Sequence, residues 1–169
     1  MRKILPIALI CFLLLSGCGY FMRESDEEYL SEILELPLPE YQRKELQDNH
    51  SGFLGDGMMT AVYAFVPADA DHLLEQILLN AHWHSLPMSQ NLNLVLYGGT
   101  RDGVYYVYNL ASKAGFPKVE NGYWFFYDEQ GQGEDCYYDK NLFERGSFNI
   151  KCAIFDTDTQ TLYYLEFDT

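Results

Sequence analysis

Basic residues are scarce in this 169-residue chain: 11 Lys and Arg face 25 Asp and Glu, a formal net charge of −14. That balance excludes a surface made for nucleic acid or anionic headgroups, which carry the same sign. No apolar run reaches the roughly 20 residues of a membrane-spanning helix. The longest extends only from Ile4 to Leu15. No internal repeat occurs, which leaves one non-repetitive globular unit. Catalytic signatures are missing too. There is no Gly-x-Ser-x-Gly, and Ser51 sits beside His50 without an identifiable partner. The glycine-rich stretch Asn49 to Gly57 lacks a following Lys-Ser/Thr pair, and a strand rather than a helix is expected next, so it is no phosphate loop. The paired acids Asp128-Glu129 and Glu134-Asp135 read as solvated loop charge.

What is present begins at the N-terminus. Arg2 and Lys3 precede the short apolar run, the charged head and apolar core of a secretory signal. The run ends in Leu15-Ser16-Gly17-Cys18, which resembles the lipobox of bacterial lipoproteins. The resemblance implies a diacylglyceryl group on the Cys18 thiol and cleavage just before it, where small Ser16 and Gly17 fit a peptidase cleft. The expected organisation is a signal peptide over 1–17, a lipidated tether over 18–24 and one domain over 25–169. Loss of 17 of the 169 residues leaves 152, enough for a single domain with a real core. Arg2 and Lys3 leave with the signal, so 9 of the 11 basic residues face all 25 acids, a net of −16. The lipid, not the protein surface, must then make the membrane contact; two acyl chains suffice for stable anchoring.

Fourteen Tyr, eleven Phe and two Trp argue for an aromatic core, with an aromatic binding surface as the alternative. Of four cysteines, Cys11 leaves with the signal and Cys18 takes the lipid. Cys136 and Cys152 remain, open either to a disulfide, which an export route permits, or to plain burial as small apolar residues. Ser25 and Glu28 form a capping-box pattern ahead of Tyr29, Leu30, Ile33 and Leu34, and Pro37 and Pro39 end that helix. Tyr41 to Asp48 and Met58 to Val66 read as strands joined by the glycine loop. A second helix follows Pro67, with Leu73, Leu74, Ile77, Leu78 and Ala81 as its expected apolar face. Leu92 to Tyr97 fits a strand or a helical turn, and Val104, Val107, Leu110 and Ala114 predict a helix, with a strand as the alternative for the same Tyr-rich, β-branched stretch. Tyr123 to Tyr127, Phe148 to Ile154 and Thr161 to Phe167 read as strands, the last two paired across Asp156 to Gln160. The fold class expected is α+β, a single domain with an antiparallel sheet and two or three helices packed on one face.

Three segments, His50 to Gly57, Val119 to Tyr123 and Asp156 to Tyr164, together resemble a group of small proteins from Gram-positive, clostridial-type bacteria. The resemblance implies one recurring domain and a Gram-positive host. That group has no assigned activity, so no catalytic residue is carried over.

Histidine is the first candidate for chemistry. His82 and His84 have the spacing by which an extended segment offers two imidazoles to one ion, and His50 and Asp56 could join them from the glycine loop. On a helix the same spacing points the rings about 200° apart, and a histidine at a helix end is favoured by the dipole anyway. Asp156-x-Asp158-x-Gln160 matches the opening of a calcium loop, but Gly is missing at the sixth position and Phe167 stands where a bidentate Glu belongs. It reads as a turn. His50 and Asp56 remain the candidate binding surface, because loops on rigid hairpins often carry function.

The expectation is a lipid-anchored binding or interaction module on the extracytoplasmic face of the cell membrane, with no catalytic set and no cofactor. Its partners would be the membrane through Cys18 and a cell-envelope protein or small ligand, not nucleic acid. The alternative is a metal-assisted hydrolase using His50, Asp56, His82 and His84.

Overall fold

The computed structural model describes residues 25–50 and 56–169. Cys18, the signal peptide, the tether and Gly55 therefore lie outside the described residues. In chain order the elements are α1 (Asp26–Leu34), β1 (Arg43–Asp48), β2 (Gly57–Ala64), α2 (Pro67–Leu79), β3 (Trp83–Ser85), α3 (Gln90–Tyr97), β4 (Gly99–Arg101), β5 (Val104–Tyr106), α4 (Leu110–Lys113), β6 (Gly122–Asp128), a 3-10 turn (Gly133–Tyr137), β7 (Asn149–Asp156) and β8 (Thr161–Asp168). Six strands form one antiparallel sheet in the order β1-β2-β8-β7-β6-β3, and β4 and β5 form a separate hairpin. No helix among the described residues is long and apolar enough to cross a membrane.

Side chains alternate across the central strands, and both faces are covered. One face buries Ala153, Phe155, Leu162, Tyr164, Phe125, Ala61 and Tyr63 under α1 and α2. The other buries Ile150, Cys152, Ile154, Leu165, Trp124 and Phe126 under α3 and α4. Burial on both sides is why 123–127 and 150–155 read as nearly continuous apolar runs. The α+β class and the antiparallel sheet stand as expected, with two helices on one face. Two further short helices cover the other face, which the expectation did not include.

The first helix forms as its cap predicts. The Ser25 hydroxyl accepts from Glu28 N at 3.2 Å, and Glu28 returns a carboxylate to Ser25 N at 3.0 Å. In α2 the buried face is Ala70, Leu73 and Ile77, whereas Leu78 is 61 % exposed. The spacing three and four residues apart selects one narrow stripe, and Leu78 falls off it. The helix expected over 104–114 is corrected to the β4–β5 hairpin followed by α4. Asp102 (φ 52°) and Gly103 (φ 79°) both take the left-handed conformation that a two-residue hairpin turn requires. Val104, Tyr105 and Val107 then face solvent rather than a core.

Cys136 and Cys152 are both free and buried, so the disulfide left open by the sequence does not form. Cys152 packs on the α3 face of the sheet, while Cys136 lies beside Tyr127, whose ring packs on the α1 face. Burial pushes the Cys152 thiol up to about 12.

Candidate functional site

Strand register gathers a polar cluster at one end of the α1 face. Asp48 lies opposite Met59, Met59 opposite Glu166, Gly57 opposite Asp168, and Glu166 opposite Lys151. Alternation then puts Asp48, Glu166, Asp168 and Lys151 on the same side, beneath the first turns of α1. The chain leaves β1 at Asn49, whose side chain accepts from Met58 N at 2.7 Å and closes the turn. His50 folds back over Asp48: its backbone N–H donates to Asp48 Oδ1 at 2.9 Å, and its Nδ1 lies 2.7 Å from the same oxygen. Its Nε2 lies 3.1 Å from Asp168 Oδ2. That contact lacks hydrogen-bond alignment, and among the described residues the buried Nε2 has no hydrogen-bond partner.

Glu166 is held from two sides. Tyr29 on α1 donates to its Oε2 at 2.8 Å and Tyr164 donates to the same oxygen at 2.9 Å. Burial first, then Glu166, raises the Tyr29 hydroxyl above its ordinary pKa. The Tyr164 hydroxyl is raised well above its own for the same reasons. Both phenols therefore stay protonated and donate. Burial and the neighbouring Glu166 charge also raise the Asp168 carboxyl, against the pull of His50. Lys151 pairs with Glu129 and stands 5.5 Å from the centre of the Tyr29 ring. A cleft of about 360 Å³ opens beside the cluster, lined by Asp26, Tyr29, Leu46, Asp48, His50, Met59 and Glu166. A cleft of similar size around Lys140 and Arg145 holds both signs of charge, and its Arg145 is tied to Asp128 at 2.5 Å.

Of the residues singled out in the sequence, only His50 joins this cluster. Asp56 is described and exposed, just before Gly57. His82 sits elsewhere: its Nδ1 lies 2.6 Å from Glu35 Oε2, and its ring stacks on Tyr137 with centroids 3.4 Å apart. His84 lies in β3 with its ring 4.9 Å from that of Trp124. The proposed set His50, Asp56, His82 and His84 is therefore not assembled. β3 is the far edge of the sheet, three strands beyond β8, or about 14 Å at the usual strand spacing. Among the described residues the group able to share an ion is His50, Glu166 and Asp168. Sequence reasoning missed both carboxylates. Their signal was alternation on β8, which puts 166 and 168 on one face, but their meeting with His50 depends on a pairing more than 100 positions away.

Asp156 is a turn residue, as the sequence suggests. Its Oδ1 accepts from Asp158 N at 2.9 Å and its Oδ2 from the Thr159 hydroxyl at 2.8 Å. These bonds occupy the carboxylate that a calcium loop would need.

No family model matches the chain, and comparison with curated proteins and with solved structures gives no match.

Proposed function

We propose that this protein is a binding module anchored by lipid at Cys18 to the extracytoplasmic face of the cell membrane, and that the His50 cleft is its ligand-contacting surface. The observation that supports the cleft is the convergence of four separate segments on it: Asp26 and Tyr29 from α1, Leu46 and Asp48 from β1, Met59 from β2 and Glu166 from β8. A hollow built from distant parts of the chain, with polar groups converging beside apolar ones, has the character of a recognition site. A short tether would join this cleft to the proposed anchor. Asp26 stands eight residues after Cys18, and eight extended residues span at most about 28 Å. A lipid at Cys18 would hold the cleft within that distance of the headgroups, while the acidic surface keeps the domain from lying flat on them.

The hydrolase reading loses its support, because His82 and His84 stand apart from His50. A cell-envelope protein or a small ligand remains the partner, met by acidic and phenolic groups.

Metabolic labelling tests the anchor. Expressed in a Gram-positive host, the wild-type chain takes up radiolabelled palmitate and fractionates with membranes, and protease added to intact protoplasts degrades it. Cys18→Ala loses the label and accumulates as precursor. Normal processing and labelling of Cys18→Ala overturns the anchor.

A further inference from the structure

We propose that His50 Nε2, Glu166 and Asp168 together bind one divalent cation of the zinc class, with Asp48 fixing the imidazole that faces it. The inference deepens the cleft reading above and rests on it, but it does not depend on the anchor.

Geometry carries it first. One donor atom from each of the three residues lies within 4.8 Å of the others. Zinc ligands at 2.0–2.2 Å in tetrahedral array stand about 3.4 Å from one another. The pair His50 Nε2 and Asp168 Oδ2 is already 3.1 Å apart. Glu166 completes the set, with a carboxylate oxygen within 4.8 Å of both. Both phenols that hold this carboxylate donate to Oε2, which leaves Oε1 for the ion.

The second observation is the orientation of the imidazole. Asp48 Oδ1 holds Nδ1 at 2.7 Å, which leaves Nε2 as the ring nitrogen turned toward Asp168. That nitrogen is buried and, among the described residues, without a hydrogen-bond partner, and it faces a carboxylate oxygen. A cation between this nitrogen and the carboxylate takes a bond from each. A carboxylate on the far nitrogen is also the usual support of a metal-bound histidine.

Charge points the same way. Asp48, Glu166, Asp168 and Glu129 surround the cluster, and Lys151 supplies its ammonium against them. One imidazole nitrogen with two carboxylates suits zinc and its first-row neighbours, whereas calcium and magnesium prefer oxygen alone. Three protein ligands leave a fourth position open toward the cleft, where a ligand's basic atom or water completes the shell.

The test is titration of the full chain, purified in detergent and stripped with chelator, against zinc chloride by calorimetry. One equivalent binds, and cobalt(II) gives the visible absorption of a low-coordinate site that zinc bleaches. His50→Gln and Asp168→Asn abolish both signals, Asp48→Asn weakens zinc binding about 10–100-fold, and His82→Gln leaves it unchanged. Near-ultraviolet circular dichroism establishes that each variant is folded; for one that is not, the wild-type cobalt spectrum and zinc-induced shifts of the His50 ring proton resonances decide. No zinc uptake by the wild type overturns the inference, as does uptake that persists in folded His50→Gln and Asp168→Asn. Zinc failure with palmitate labelling intact removes the cation alone; lost labelling with zinc bound removes the anchor alone.

Discussion

Gly57 and His50 lie backbone against backbone across the mouth of the β1–β2 connection. A Cβ on Gly57 would stand 2.5 Å from His50 Cα and 2.9 Å from its ring Cδ2. Close approach, not left-handed backbone, is what demands glycine here, since Gly57 lies outside the positive-φ residues.

Gly57→Ala therefore displaces His50 from Asp168. Overpacking of this kind costs about 1–3 kcal/mol, read as a lowered melting temperature with the cation site lost. An unchanged melt would mean that the loop yields freely.

Ile154 is 2 % exposed on the α3 face, packed among Trp124, Cys152 and Leu165. Ile154→Asp places a carboxylate there without a partner, at a cost of several kcal/mol. Denaturant unfolding checks this; a midpoint like that of the wild type would contradict the two-faced core.

Lys44 Nζ lies 2.9 Å from Glu27 Oε1 and 2.8 Å from Asp26 Oδ2, tying β1 to the start of α1. The Lys44 bond, helped by Tyr41, lowers the Glu27 carboxyl to about 2 from 4.5. The folded value is below the unfolded one, so this stability is complete above about pH 4.5 and is lost as pH falls toward 2. Glu27 is a third exposed. Solvent screening limits the effect to on the order of 1 kcal/mol. Melts from pH 5 to pH 2 should show a smaller loss for Lys44→Met than for the wild type; equal losses would contradict the assignment.

Cys152, with its thiol raised to about 12 by burial, should resist alkylation in the native protein. After unfolding without reductant, mass mapping should find the Cys136 and Cys152 peptides both alkylated. A linked 136–152 peptide would contradict the free thiols.

Local signals were legible in the sequence. The Ser25–Glu28 cap and the β7–β8 turn at Asp156 are each specified within a few residues, by side chains that bond nearby backbone, and Pro37 follows closely on the end of α1. The β4–β5 hairpin is masked in the sequence because Val104, Val107 and Leu110 fall at helical spacing, while the Asp102-Gly103 turn outweighs that spacing in the fold. The site was legible only in His50. Glu166 and Asp168 look like the polar end of an edge of sheet until β2 pairs with β8 and sets Gly57 opposite Asp168. No window along the chain contains that relationship.

Anomalous diffraction at the zinc absorption edge, from crystals of the full chain grown with zinc, tests the cation site most directly. The account predicts a peak between His50 Nε2, Glu166 and Asp168, with Asp48 on the opposite ring nitrogen. A peak at His82 or His84, or none at His50 in a fully formed cleft, would contradict it.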